Sequence, residues 1–269
     1  MRIATTAALC GIALTCVFPA FAQGVGEEEE ARSEPTYLIN VDTPTLPAPK
    51  RLHLNAGVRP FGGAESLSYI HFGAEYGLSR SASLLLRGGG VDRRFYTASG
   101  QNIPLGGREY EIGFRTLLRQ TGSMRFGVQG SVLFPDARPD GRLTYAGQAL
   151  FSKKMGSRLS LFFTPKVLLG KTTLVTLGGG VEYAINDSLA LLGDLQGAII
   201  GANGVNTATG NSISQEVWGI GLRYSPVSFR GRASLDFGVT NGLGRSLGLS
   251  TSKGLGGGSA VYFSVSFRP

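Results

Sequence analysis

Cysteine is scarce in this chain, and both copies lie near its start. Cys10 and Cys16 fall within a mostly apolar run, Ile3–Phe18, that follows a charged N-terminus. The run ends in Pro19-Ala20-Phe21-Ala22, which has the Ala-x-Ala form of a signal-peptide cleavage site. We expect cleavage after Ala22, because the run is short for a membrane anchor. The remaining 269 − 22 = 247 residues contain no thiol, so no disulfide or zinc–thiolate site is possible there.

Long apolar runs are also missing beyond this leader. No later stretch reaches the roughly 18 uninterrupted apolar residues of a membrane helix. Histidine is nearly absent, with only His53 and His71, and neither has carboxylate or nucleophile spacing around it that would favour catalysis. We therefore predict no enzyme, no cofactor and no metal site. A chain with 41 glycines and modest hydrophobicity is then either a secreted β-sandwich or an outer-membrane barrel.

Residues 23–50 differ from the rest in composition. They contain the acidic run Glu27–Glu30 and four prolines, Pro35, Pro44, Pro47 and Pro49, which discourage regular structure. We predict a flexible periplasmic tail here, either a solvated linker or a docking segment. From Lys50 onward the chain has 24 basic and 12 acidic residues, a net charge of 24 − 12 = +12. The predicted units are thus a leader (1–22), the tail (23–50) and a basic barrel (51–269).

The stretch Thr172–Ile200 carries the pattern that the rest of the chain repeats. Apolar residues alternate with polar residues and glycine on either side of the turn Asn186-Asp187-Ser188, which indicates a β-hairpin. Each arm is about ten residues long, enough to cross a membrane as a tilted strand. We predict a transmembrane antiparallel up-and-down β-barrel of about twelve strands. They are Leu52–Pro60, Leu67–Leu78, Ser81–Gly90, Arg108–Arg119, Ser123–Phe134, Leu143–Lys153, Arg158–Leu169, Thr173–Ile185, Ser188–Ile200, Glu216–Ser225, Arg232–Thr240 and Ser259–Arg268.

The connections support this interpretation. Short links such as Ser79-Arg80 and Gln120-Thr121-Gly122 alternate with mostly longer ones such as Val91–Gly107 and Asn241–Gly258. Short periplasmic turns and longer outer loops are typical of outer-membrane barrels. Both chain ends are then expected on the periplasmic side.

The sequence after Lys50 resembles the outer-membrane β-barrels of Gram-negative bacteria, including an aromatic-rich last strand, Val261–Phe267. That family usually ends in Phe, which its assembly machinery recognises, whereas this chain ends Phe267-Arg268-Pro269. Two short pieces, Gly180-Val181-Glu182-Tyr183 and Gly221-Leu222-Arg223-Tyr224, resemble a transporter family associated with the meta pathway of phenol degradation. The resemblance implies residence in the bacterial outer membrane and contact with the barrel-assembly machinery.

The strand parity opposite to the apolar one is predicted to line the lumen, and it carries both acids and bases. Buried charges need partners or water, so this set either forms ion pairs that plug a narrow barrel or lines a wet passage. Strand number does not choose between these two arrangements. The candidates are His53, Arg59, His71, Glu75, Arg87, Glu111, Arg115, Arg125, Lys166, Glu182, Asp194, Arg223 and Asp236.

Three functions follow from these patterns. The first is a passive channel or transporter for small solutes, and the second is a non-conducting structural or adhesion barrel that acts through its outer loops. The third is a lipid-modifying enzyme: Tyr69-Ile70-His71-Phe72-Gly73 keeps the Tyr and His of the outer-membrane phospholipase A motif but lacks its Ser and Asn. Expected partners are membrane lipid and the phosphates of lipopolysaccharide, bound by arginines in the loops. No nucleic acid is expected.

Overall fold

The computed structural model describes residues 36–61, 67–90, 94–98, 101–105, 108–135, 143–170, 172–205, 211–226, 232–252 and 258–268. Twelve strands in these ranges close into one barrel in which every neighbouring pair is antiparallel. They are β1 (Leu52–Phe61), β2 (Leu67–Gly77), β3 (Ala82–Gly90), β6 (Arg108–Thr121), β7 (Met124–Pro135), β8 (Thr144–Met155), β9 (Leu159–Leu169), β10 (Thr173–Ala184), β11 (Leu189–Ile200), β14 (Val217–Tyr224), β15 (Ala233–Thr240) and β16 (Ala260–Phe267).

The strands alternate between a buried and an exposed face, as a period of two requires. In β16 every second residue is buried, and its exposed Phe263 lies opposite Phe237 of β15. Cross-strand pairs of this kind join into an apolar belt around the whole barrel. A closed belt of exposed Leu, Ile, Val and aromatic side chains requires an apolar environment, which a membrane provides.

The two ends of the barrel differ in their connections. At the end that holds β1's first residue, the described links are short, as at 122–123 and 185–188. At the other end the links include two small hairpins, β4–β5 (Arg94–Ala98 and Gln101–Leu105) and β12–β13 (Gly204–Val205 and Ser212–Ile213). The strand β16 returns to pair with β1, so the start of β1 and the end of β16 both lie at the short-turn end.

The predicted barrel class is confirmed, and the described strand bounds fall within two residues of the predicted ones. Periodicity did not reveal the two small hairpins or the short helix Leu247–Thr251 in the last long connection. No helix in the described part of the chain is long and apolar enough to cross a membrane. The predicted leader, 1–22, lies outside the described residues.

The prediction of a solvated periplasmic tail is wrong for residues 36–43. Leu38, Ile39 and Val41 are buried there and pack against Phe162 and Leu192 of the barrel wall. The chain therefore turns into the barrel before β1 begins, because its apolar side chains find cover inside. Residues 23–35 of the predicted tail lie outside the described ranges, and the expectation for them stays a prediction.

We expect Phe237→Arg to lower the free energy of unfolding in lipid vesicles. Phe237 lies midway along β15 on the exposed apolar face. An arginine near the middle of the membrane costs about 2–4 kcal/mol in such barrels. Urea unfolding of vesicle-refolded protein measures this loss. The control Phe237→Leu should cost less than about 1.5 kcal/mol, and equal losses for both variants would contradict a lipid-facing position.

Candidate functional site in the barrel interior

The buried face of the barrel wall is unusually rich in charge. The structure places all thirteen predicted lumen residues on this face: twelve are buried and Arg125 is partly buried. They are His53, Arg59, His71, Glu75, Arg87, Glu111, Arg115, Arg125, Lys166, Glu182, Asp194, Arg223 and Asp236. Many of them contact two segments that enter the barrel, one from each end.

The first of these is the N-terminal segment, residues 36–43, which folds into a tight reversal inside the wall. Tyr37 and Asp42 form an antiparallel bridge, and the backbone N–H of Leu38 donates to the carbonyl of Val41 at 2.7 Å. The turn leaves the N–H groups of Ile39 and Asn40 without backbone partners. Irregular backbone can be buried only where the surroundings supply such partners.

Asp194 of β11 is the partner that the turn needs. Its carboxylate accepts from the backbone N–H of Ile39 at 2.8 Å and of Asn40 at 2.6 Å, and from Asn40 Nδ2 at 2.8 Å. Arg59 of β1 complements it by donating to the carbonyl of Ile39 and to Asn40 Oδ1, both at 2.8 Å. One acid and one base of the wall thus hold opposite sides of the same turn. Nothing in the sequence around residue 40 indicates that Asp194 and Arg59 contact this turn.

Asp42 anchors the other arm of the segment. Arg87 donates to both of its carboxylate oxygens, at 3.0 and 2.8 Å, and Arg115 Nη2 lies 3.3 Å away. Gln148 Nε2 adds a hydrogen bond of 2.7 Å. Burial alone would raise the pKa of the Asp42 carboxyl, but the guanidinium groups of Arg87 and Arg115 outweigh it and hold that pKa well below its ordinary value. Asp42 is therefore a buried anion shared by two wall arginines.

A second ion-pair group lies near the start of the segment. Arg223 of β14 makes a two-point contact with Asp236 of β15, at 2.7 and 2.8 Å, and lies 3.4 Å from Glu182. Its Nη2 also donates to the carbonyl of Tyr37 at 3.1 Å. A planar guanidinium group can contact several acceptors at once, because its five N–H groups point in fixed directions. This arginine therefore ties three strands to the segment.

The second entering segment, residues 241–252, descends from the opposite end of the barrel. Its short helix presents free backbone N–H groups to two acids of β6: Leu247 donates to Glu111 at 3.0 Å, and Gly248 to Glu109 at 3.0 Å. Carboxylates are favoured at a helix N-terminus because the first N–H groups have no partner within the helix. Lys166 then links the two segments, donating to Asn40 O and Ser250 Oγ, both at 3.3 Å.

The two segments touch at Tyr37. The guanidinium carbon of Arg245 lies 3.3 Å from the centre of the Tyr37 ring, and the ring of His53 is parallel to it at 5.8 Å. Tyr37 and Ser266 of β16 are also hydrogen-bond partners. Tyr37, Asn40, Asp42 and Glu109 were not among the predicted site residues. Arg245 belongs to the loop arginines that were expected to contact lipopolysaccharide, but it is buried inside the barrel. The alternation of Tyr-Leu-Ile-Asn-Val-Asp within a proline-rich stretch was the available signal.

The two histidines lie inside the barrel but form no catalytic arrangement with each other. His53 Nδ1 is 2.9 Å from Thr36 Oγ1, and His71 is 1% exposed. A lipid-modifying centre would need His71 on the outer face, so its position counts against that hypothesis. Within the described residues, no group of three or more His, Cys, Asp or Glu side chains could hold a metal ion.

We expect Asp42→Asn to reduce the free energy of unfolding by about 3–5 kcal/mol at neutral pH, because it leaves two buried arginines short of a partner. The folded pKa of Asp42 is lowered, so its stabilisation is fully present above the unfolded value of about 3.9 and is lost as the pH falls toward the folded pKa. The difference between wild type and variant should therefore be constant from pH 7 to about 5 and shrink below about pH 4.

Urea unfolding at several pH values measures this difference. The control is Asp187→Asn in an exposed turn, which should change stability by less than about 0.5 kcal/mol at neutral pH. A loss from Asp42→Asn that was as large at pH 3 as at pH 7 would show that the charge of Asp42 is not its cause.

Comparisons with known proteins agree with this geometry. No protein-family model matches the chain, and no curated protein matches it. Among solved structures, the KdgM porin aligns at a TM-score of 0.55 and 9% identity, over 80% of this chain and 98% of that porin. The NanC porin gives 0.52 and 10%, over 81% and 100%. An outer membrane channel from Pseudomonas putida F1 gives 0.54 and 12%, over 90% and 100%. The chain therefore has the fold of an outer-membrane β-barrel.

Proposed function

We propose that this protein resides in the bacterial outer membrane and is a passive channel for small solutes. The observation that carries the proposal is the division of the barrel wall into an apolar outer face and a charged inner face. The first face matches lipid, and the second matches a polar passage. The short-turn end, where β1 starts and β16 ends, would face the periplasm, and the longer connections would face outward.

The two entering segments set the scale of any passage. Residues 36–43 and 241–252 fill the middle of the barrel with buried side chains. A solute path would then run between these segments and the wall, around ion pairs such as Arg87–Asp42 that join the two. A path of this kind would be narrow, so it would admit ions and small molecules and exclude bulky ones. The short matches to the transporter family of phenol degradation make phenol a solute to include in uptake tests.

A second candidate function rests on the same packing. A lumen filled by ion pairs and by two inserted segments also suits a non-conducting barrel that works through its outer connections. The connection between β11 and β14, residues 201–216, contains its own small hairpin, β12–β13, and could present a binding surface. Conductance separates the two functions, because only the channel passes ions.

Deletion of residues 36–43 should raise single-channel conductance in planar bilayers above that of the wild type. The deletion empties part of the lumen, and we expect the barrel to form because its twelve strands pair with one another and not with residues 36–43. Heat-modified gel mobility can show that both proteins are folded. If both folded proteins were silent, the channel proposal would be wrong and the adhesion function would be preferred.

A disulfide can test whether the N-terminal segment must move. A Cβ placed on Gly219 would lie 3.0 Å from the Cβ of Ile39, so a shift of the segment by about half an ångström brings the pair into the range of about 3.5–4.5 Å found in disulfides. Protein lacking residues 1–22 has no other cysteine, so Ile39→Cys with Gly219→Cys gives one defined link. Because hydrogen bonds already hold the segment in place, we expect equal conductance before and after reduction. A rise on reduction would show that solutes pass only when the segment leaves.

A further inference from the structure

Among the described residues, fifteen buried side-chain N and O atoms have no hydrogen-bond partner, and five of them belong to three basic side chains. We call Arg59, His71 and Arg245 the basic cluster. Both ring nitrogens of His71 lack partners, as do Nε of Arg59 and both Nε and Nη1 of Arg245. All three side chains are at least nine-tenths buried. Buried polar groups in native proteins are nearly always paired, so a gap of this size requires an explanation.

The members of the cluster come together through the two entering segments. Arg59 donates to the carbonyl of Gly242 at 2.8 Å, three residues before Arg245. It also donates to the carbonyl of Ile39 at 2.8 Å, two residues after the Tyr37 ring on which Arg245 lies. His71 lies on β2 opposite Gly57, two residues before Arg59 on β1. The charges of both arginines act on His71.

The unpaired atoms are mainly donors. Arginine nitrogens can only donate. A neutral histidine carries one N–H and one acceptor nitrogen, and a charged one carries two N–H groups. At least one N–H of His71 therefore lacks an acceptor in either state. The cluster presents N–H groups from three side chains and needs an acceptor.

The positive charge of the basic cluster favours an anion over a water molecule as the acceptor. In the described part of the chain, Arg59 has no carboxylate within ion-pair distance. Arg245 has only Asp236, at 3.6 Å, and Asp236 already makes the shorter two-point contact with Arg223. The two arginines also act on each other as like charges, and for Arg59 this repulsion exceeds the attraction of the more distant Asp194 carboxylate. A water molecule could accept these hydrogen bonds but would not offset the charge, whereas an anion does both.

We propose that the basic cluster is a binding site for a small carboxylate, held by Arg245 and His71 with support from the charge of Arg59. The planar carboxylate oxygens can accept from a guanidinium and from a ring N–H at once. Binding does not depend on conduction, so a barrel that fails the channel test can still bind the anion.

The experiment measures how ligands stabilise folded protein in detergent micelles. The protein is refolded and unfolded in urea with increasing sodium acetate, since a ligand that binds only the folded state raises its stability with concentration. Acetamide is the neutral molecule of the same shape, and sodium chloride matches the ionic strength. We expect acetate to raise the unfolding midpoint beyond both controls. An equal effect of acetate and chloride would overturn the proposal.

Two variants and one control locate the site. His71→Phe keeps a ring but removes both unpaired nitrogens. It should weaken acetate binding about tenfold, the loss expected for one hydrogen bond to a charged group, without lowering the stability of the ligand-free protein. Arg245→Gln should weaken binding at least as much. Arg119→Gln removes an exposed basic residue outside the cluster and outside the lumen set, and this variant should bind acetate like the wild type.

Two further results would contradict a carboxylate site at the basic cluster. Undiminished acetate binding in both folded cluster variants would place the anion elsewhere and contradict the proposal. Binding of inorganic phosphate without binding of acetate would contradict the carboxylate assignment. Equilibrium dialysis with labelled acetate gives the same comparison without unfolding, so a cluster variant that changes stability can still be judged.

Discussion

The N-terminal segment can occupy the barrel only because the wall satisfies its backbone. A reversal of the chain at Ile39 and Asn40 exposes two N–H groups and a carbonyl, and no regular strand lies beside them to pair with. The Asp194 carboxylate accepts both N–H groups and Arg59 donates to the carbonyl. An unpaired buried group of this kind costs about 1–3 kcal/mol. The alternative for the segment is to remain in water, where the same groups are paired but Leu38, Ile39 and Val41 are exposed.

The same constraint explains why the wall carries so many ions. A charged side chain inside the barrel costs more than a neutral one unless it has several partners. Asp42 and Arg223 each meet this condition by joining a wall strand to the segment and to further side chains. The charges that sequence analysis assigned to a lumen therefore act first as the structural partners of two inserted segments. A solute path, where one exists, shares these groups with the fold.

The strands could be predicted closely because each one carries its own signal. The period-two pattern and the turn residues are local, so the ends of β10 and β11 follow from the residues within them. The alternation also separated the two faces of each strand, and the charged candidates lie on the buried face. The inserted segments could not be found this way, because their partners lie far away in the chain. Asp194 is about 155 residues from the turn that it holds. Proline and acidic residues nearby favoured a solvated tail, and burial of residues 36–43 outweighed that local preference.

Two glycines of the barrel wall lie where the N-terminal segment packs against it. A Cβ on Gly219 would lie 2.8 Å from Ile39 Cγ2, and one on Gly180 would meet Leu38 Cδ1. Both contacts are closer than real Cβ atoms allow, so a larger residue at either position would require Ile39 or the end of the Leu38 side chain to shift. Glycine weakens a strand, and it often marks a place where another part of the chain approaches the backbone closely. Here the glycines leave room for Leu38 and Ile39 against the wall. The barrel is thus shaped around the segment as well as around any passage, which makes residues 36–43 part of the folded barrel itself.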